Sequence, residues 1–188
     1  LVWSPDSRRL AAYSHNTTVL WEIRTGQRLF DWQGASIQSV TWTSDGRRIA
    51  LAGGGDLSEN GNQAYMSHIH IFDVEQKTRL LKQRTSNQRV LANTVAWNST
   101  CDKIASGNGY GEIGVWDSAT GDQIFKSRPH VASVWSLDWS PDGSRLASVS
   151  IDGSLKILDA STGEELLSLD DSKQQLTSVK WSSDGVKL

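Results

Sequence analysis

The chain has 188 residues, a formal net charge of −2 and 37% hydrophobic residues. That balance gives no global reason to expect nucleic acid or an anionic membrane as partner. No apolar run approaches the roughly 18 residues of a membrane-spanning helix, and no signal-peptide pattern is seen. The single cysteine, Cys101, excludes an internal disulfide framework and leans toward a reducing, cytoplasmic setting.

Taken in order, the sequence reads as short apolar runs cut by turn residues, with no helical periodicity. The first repeat, over about 1–33, ends a strand at Trp3 and turns through Ser4-Pro5-Asp6-Ser7. A second hairpin turns at Ser14-His15-Asn16, a third strand ends Leu20-Trp21-Glu22, and Thr25-Gly26 leads into a fourth strand carrying Asp31 and Trp32. The second repeat, about 38–83, runs through Trp42, TSDG and Phe72-Asp73. It departs from the pattern: Ile49 to Asp73 covers 24 positions where Leu146 to Asp159 covers 13. The surplus falls in GGGDLSENGNQAYM, 53–66, which its Gly, Asn and Ser content marks as loop. Gly53-Gly54-Gly55 lacks the following Lys-Ser/Thr and helix of a phosphate cradle, so loop flexibility explains it. His68 and His70 stand two apart and point to one side of a strand. With Asp56 and Glu59 they offer a zinc-ligand set, but alignment with Ser154 and Lys156 places them at ordinary solvated strand positions.

The third repeat, about 92–127, has the turn NSTC, with Cys101 in place of the turn glycine as a tolerated surface substitution. Its third strand ends Trp116-Asp117. The fourth repeat, about 132–169, is the fullest. Ser140-Pro141-Asp142-Gly143 presets a turn with proline and exits it through glycine, Asp152-Gly153 is a strong hairpin signal, and Ser161-Thr162-Gly163 turns into Glu165–Leu169. A fifth repeat starts over 176–188 with Trp181 and SSDG. Both ends cut through a repeat, so the chain reads as a piece of a longer array. Its open edges are expected to drive self-association or to pair with missing repeats.

Four strands with short turns make an antiparallel meander, and a period of roughly 40–45 residues with a Trp-Asp ending is the signature of a propeller blade. On VWSPDSRRLA, VWDSATG and the PH/WSPDG/LAS/DG/LD series of the fourth repeat, the chain resembles the WD-repeat β-propellers over essentially its whole length. The resemblance implies an all-β fold, a partial β-propeller of four-stranded antiparallel blades in one segment, 1–188. It also implies an internal hydrogen-bonded brace of His130, a serine (Ser148 or Ser150), Asp152 and the Trp that ends a third strand. Trp21 and Trp116 fill that last place in the first and third repeats, whereas Leu158 replaces it in the fourth. The set superficially resembles a Ser-His-Asp triad, but a hydrolase also needs an exposed nucleophile and an oxyanion hole.

Connectivity fixes a second expectation. In a meander the loop entering strand one and the loop joining strands two and three share a rim, so 53–66 shares a face with 84–90, 128–130 and 170–175. Arg84, Arg89 and Arg128 fall there beside Asp31, Asp170 and Asp171, a mixed-sign surface that suits protein or peptide better than a polyanion. Trp135 stands where the other repeats carry Gln38, Asn93 and Thr177, which makes it an interface anchor unless it fills a gap between blades. The expected partner-binding set is therefore Trp135, Arg89, Arg128, Gln38 and Asn93. The expected function is a non-catalytic protein–protein interaction scaffold, with no cofactor or metal, binding protein or peptide rather than nucleic acid or membrane. The alternatives are a regulatory or sensor propeller of a larger multidomain protein, for example one fused to a kinase, and a propeller enzyme with a central-channel site. Against the enzyme, the channel-lining positions Ser36, Gln38, Leu91, Asn93, Ser133 and Trp135 offer no carboxylate or histidine.

Overall fold

In the computed structural model the strands pair as four antiparallel meanders of four strands each. The structure describes residues 1–14, 17–33, 36–54, 66–170 and 174–188, the side chains of 33, 66 and 87–89 excepted. The first sheet comprises β1 (Val2–Trp3), β2 (Arg9–Tyr13), β3 (Thr17–Glu22) and β4 (Gln27–Gln33). The second comprises β5 (Ser36–Trp42), β6 (Arg48–Gly54), β7 (Met66–Asp73) and β8 (Thr78–Arg89). The third holds β9 (Ala92–Trp97), β10 (Lys103–Asn108), β11 (Ile113–Asp117) and β12 (Gln123–Ser127). The fourth holds β13 (Val134–Trp139), β14 (Arg145–Ser150), β15 (Ser154–Asp159) and β16 (Glu165–Asp170). Contacts group these into two units, Leu1–Ala92 and Asn93–Leu188. Among the described residues no helix is long and apolar enough to cross a membrane.

Burial follows strand position. The second strands β6, β10 and β14 are buried at every residue after the first, on both faces, whereas β16 is exposed or half-buried throughout. Continuous apolar runs such as Ile49-Ala50-Leu51-Ala52 therefore replace the alternation of a one-sided sheet. In the first unit the core joins Leu20, Val40, Trp42, Leu51 and Phe72; in the second it joins Val115, Phe125, Leu137, Trp139 and Leu146.

The turns between first and second strands are built by one local device. The Ser4, Thr43, Ser140 and Ser182 hydroxyls each donate to the Asp two residues on at 2.6 Å. Each also accepts the backbone N–H five residues on. These bonds hold the Asp6, Asp45, Asp142 and Asp184 carboxyls below the usual range, Asp142 at about 2. In the NSTC turn Asn98 plays the serine's part, donating to Asp102. The residue after each Asp position in SPDG-type turns takes positive φ: Gly46, Gly143 and Gly185 do so, and so do Ser7 and Cys101. Cys101 is also 7% exposed, so the expected surface substitution is a buried thiol in a left-handed conformation. Its backbone carbonyl accepts the Ser118 hydroxyl, which ties that turn to the next.

Two families of bulge shape the sheets. Where third and fourth strands pair, one residue of the outer strand is always extra: Leu29, Leu80, Ile124 and Leu166. In β5 and β13 the extra residues are Gln38 and Trp135.

Residues 176–188 do not form the expected fifth first-strand. A strand needs a ladder, and among the described residues no strand pairs with this segment. Its docking is nonetheless that of a blade edge: Val179 packs on Ala147 and Val149, and Trp181 N–H donates to Asp138.

Candidate functional site

The triad-like set of the fourth sheet is a closed brace. His130 is 1% exposed, and its Nε2 and Nδ1 lie 2.8 Å from the hydroxyls of Ser148 and Ser154. Ser154 donates its proton to Asp152 at 2.6 Å, so its oxygen accepts from Nδ1–H, and Nε2 accepts from Ser148. Of the two serines left open by the sequence, Ser148 is the one bonded to the ring. Burial pushes the His130 imidazole below its ordinary pKa, against the pull of Asp152. Burial would raise Asp152, but hydrogen bonds from the Ser154 hydroxyl, the Ser154 N–H and the Val131 N–H outweigh it and hold the carboxyl at about 2. A neutral histidine is thus clamped between two buried hydroxyls, with Ser148 at 0% exposure. The geometry orders the connector 128–133.

Ser154 had no place in the expected brace, although its position two residues after Asp152 is a common Asx-turn signal. In the third sheet Tyr110 stands at the position of Asp152 and Asn108 at that of Ser150. The Asn108 Oδ1 accepts from the Tyr110 and Glu112 N–H groups, and its amide donates to Glu112 at 2.7 Å. Trp116 is buried with its ring over Gly114, where a Cβ would come within 2.2 Å of the ring. Trp21 is half-buried in β3. Leu158 takes the tryptophan's place with no exposure.

Of the expected partner-binding residues in the second unit, Trp135 is 53% exposed. As the extra residue of its bulge it has no ladder partner, and a bulge re-aims the side chain it carries. Val131 and Tyr110 are also exposed, on the connector and hairpin loop at that end of the strands. Arg128 is exposed and its Nε donates to the Tyr110 carbonyl at 2.8 Å, which fixes the base of the guanidinium and leaves its outer edge to solvent. Asn93 is half-buried, and its amide donates to Ser133 Oγ at 2.6 Å, so it braces the connector rather than presenting donors outward.

In the first unit Gln38 occupies the same bulge position as Trp135 and bonds Ser36 Oγ at 3.1 Å. Arg89 lies in β8 opposite Met66, and its side chain lies outside the described residues. So does the loop 55–65, with Asp56 and Glu59. Of the two histidines offered for zinc, His70 is not solvated: it is 1% exposed, with its ring 4.7 Å from that of Trp32 and near that of Phe72. Trp32, which the repeat does not demand, thus serves the core of the first unit. Among the described residues no group of three His, Cys, Asp or Glu side chains is placed to hold a metal.

Residues 95–184 match the family model described as the anaphase-promoting complex subunit 4 WD40 domain. The chain is 26% identical over 129 residues to eukaryotic translation initiation factor 3 subunit I of Aspergillus oryzae, covering 68% of this chain and 38% of that protein. It is 24% identical over 144 residues to WD repeat-containing protein srw1 of Schizosaccharomyces pombe, covering 75% and 23%. It is 25% identical over 142 residues to the initiation factor subunit of Pyricularia oryzae, covering 73% and 41%. The matched region thus spans between 23% and 41% of the length of these relatives. Taken with four antiparallel meanders of four strands each, these likenesses show that the chain is similar to WD-repeat proteins.

Proposed function

We propose that the chain is a non-catalytic protein-interaction module that binds a protein or peptide segment at the loop end of its second unit. The observation that carries this is Trp135. Trp42, Trp116 and Trp139 are spent on the core, while Trp135 is bulged out of its ladder and half in solvent. An exposed indole beside an anchored arginine has the composition of an interface hot spot, where an apolar anchor is rimmed by polar contacts. Arg128 supplies the polar contact, and Val131 and Tyr110 extend the apolar surface. Asn93 supports the site from beneath through Ser133. The names of the matching family model and of two relatives are those of subunits, which agrees with a role in assembly. The closed brace around His130 supports a reading without catalysis, since its serine meets no solvent.

The test is a selection of binding peptides from a display library on the full chain, followed by measurements on Trp135→Ala. Loss of affinity by about 2 kcal/mol at an unchanged thermal midpoint is expected. A sharp fall in the midpoint with affinity per folded molecule retained would make Trp135 a packing residue and overturn the proposal.

A further inference from the structure

A second surface lies at the opposite end of the strands, in the first unit. Its turn segments, 4–9, 22–28, 43–48 and 73–79, carry eight cationic side chains against five anionic ones. The corresponding segments of the second unit, 98–103, 117–123, 140–145, 159–165 and 182–187, carry three against eight. The same turn architecture is therefore basic in one unit and strongly acidic in the other. Fold cannot require this, because the structural Asp of each turn is present in both.

The basic character is concentrated at a cavity of about 750 Å³ beside the turns of the first sheet, where Arg8, Arg9 and Arg24 converge. Arg9 is engaged: its guanidinium reaches the Gly46 carbonyl at 3.4 Å and Glu75 at 3.9 Å. Arg8 and Arg24 are exposed and make no ion pair among the described residues. Asp6 also lines the cavity, but its Oδ1 is held by the Ser4 hydroxyl and the Arg8 N–H. Glu22 is the remaining carboxylate there. Ile23, 43% exposed, and the half-buried Leu29 give the cavity an apolar wall.

We infer that this cavity is a docking site for an acidic linear protein segment, one that places an aliphatic side chain on Ile23 and Leu29 and its carboxylates on Arg8 and Arg24. Guanidinium groups recognise carboxylates through paired, charge-assisted hydrogen bonds, and the apolar wall gives the flanking aliphatic residue somewhere to go. The carboxylates among the arginines, Glu22 in the cavity itself, disfavour the evenly spaced phosphates of a nucleic acid, which needs an unbroken cationic track. The acidic turns of the second unit repel the same segment, which confines it to the first. This site is separate from the one around Trp135 and stands or falls independently of it.

The experiment uses the full chain and two labelled peptides, one alternating glutamate with leucine and its counterpart alternating glutamine with leucine, read by fluorescence anisotropy. The glutamate peptide is expected to bind at least about tenfold more tightly, with an affinity that falls as salt rises. Arg8→Glu with Arg24→Glu should abolish that preference, and Arg8→Ala with Arg24→Ala should weaken it, at an unchanged thermal midpoint because both side chains are exposed. Equal binding of the two peptides, or binding unaffected by either double variant, overturns the proposal. Displacement of the peptide by a single-stranded oligonucleotide of matched charge at equal or lower concentration would make the surface a general polyanion site and also overturn it. Salt-sensitive dimerisation of the wild-type chain that the variants lose would assign the cavity to a second copy instead.

Discussion

The indole Nε1 of Trp139 donates to the carbonyl oxygen of Ala96 at 3.1 Å, tying the first strand of the fourth sheet to the first strand of the third. Both residues are buried, so the bond forms where neither group can turn to water. Trp139→Phe keeps most of the apolar area but strands that carbonyl, and it should cost about 1–3 kcal/mol. Urea unfolding of the two proteins checks this; a loss under about half a kcal/mol would mean that the tie is dispensable.

Acid should weaken the brace of the fourth sheet in two stages. His130 has its pKa lowered by folding, so the unfolded state binds its proton more readily; the stability it contributes is present above about 6.5 and falls as pH drops below that value. Asp152 is also lowered, to about 2, so its contribution is present above the ordinary carboxylate value of 3.8 and is lost as pH falls toward 2. Both effects have the same sign. His130→Gln should remove the first stage, which is read by comparing thermal midpoints of wild type and variant between pH 7.5 and pH 5. Parallel curves for the two proteins would refute the assignment.

Ser7 and Lys77 hold the left-handed conformation that glycine holds in the equivalent turns, with φ of 56° in each. Relief of that strain exceeds the extra chain entropy that glycine brings to the unfolded state. Ser7→Gly should therefore stabilise by about 0.5–1 kcal/mol. The reverse exchange, Gly143→Ala, should destabilise by about 1 kcal/mol for the same reason. Chemical denaturation of both variants decides the matter, and a stabilising Gly143→Ala would contradict it.

Gly111 has φ of 79°, and a Cβ there would come within 2.2 Å of the His130 carbonyl oxygen. Its amide closes onto Asn108, and its carbonyl accepts the His130 N–H. Gly111→Ala should accordingly push the connector 128–133 away from the hairpin loop and cost about 2 kcal/mol or more. Since Arg128 and Trp135 are held by that connector, peptide affinity at the Trp135 surface should fall together with the midpoint, unlike the effect of Trp135→Ala.

The blades were legible from the sequence because they are written in local code. SPDG, TSDG and Thr-Gly act within about five residues, through hydroxyl-to-Asp bonds and positive φ, so they can be read without knowing what lies across the sheet. The role of Trp116 as a buried residue followed from the same repeat. Where the reading failed, the deciding neighbour was remote in sequence. His70 looked solvated by alignment with Lys156, yet it is buried because Trp32, 38 positions away, lies against its ring. Cys101 passed for a surface residue because the turn pattern carries no information about what packs on it. For Asn93, expected among the partner-binding residues, the local sequence does not show that Ser133, one repeat further on, accepts from its amide. Ser154 completed the brace through a histidine 24 residues before it. The turns and the strand order of the four sheets could be read along the chain, since each rests on short-range hydrogen bonds and conformational preference. Tertiary structure decided which polar side chains are spent and which remain to meet a partner, because burial and pairing depend on groups that only folding brings together.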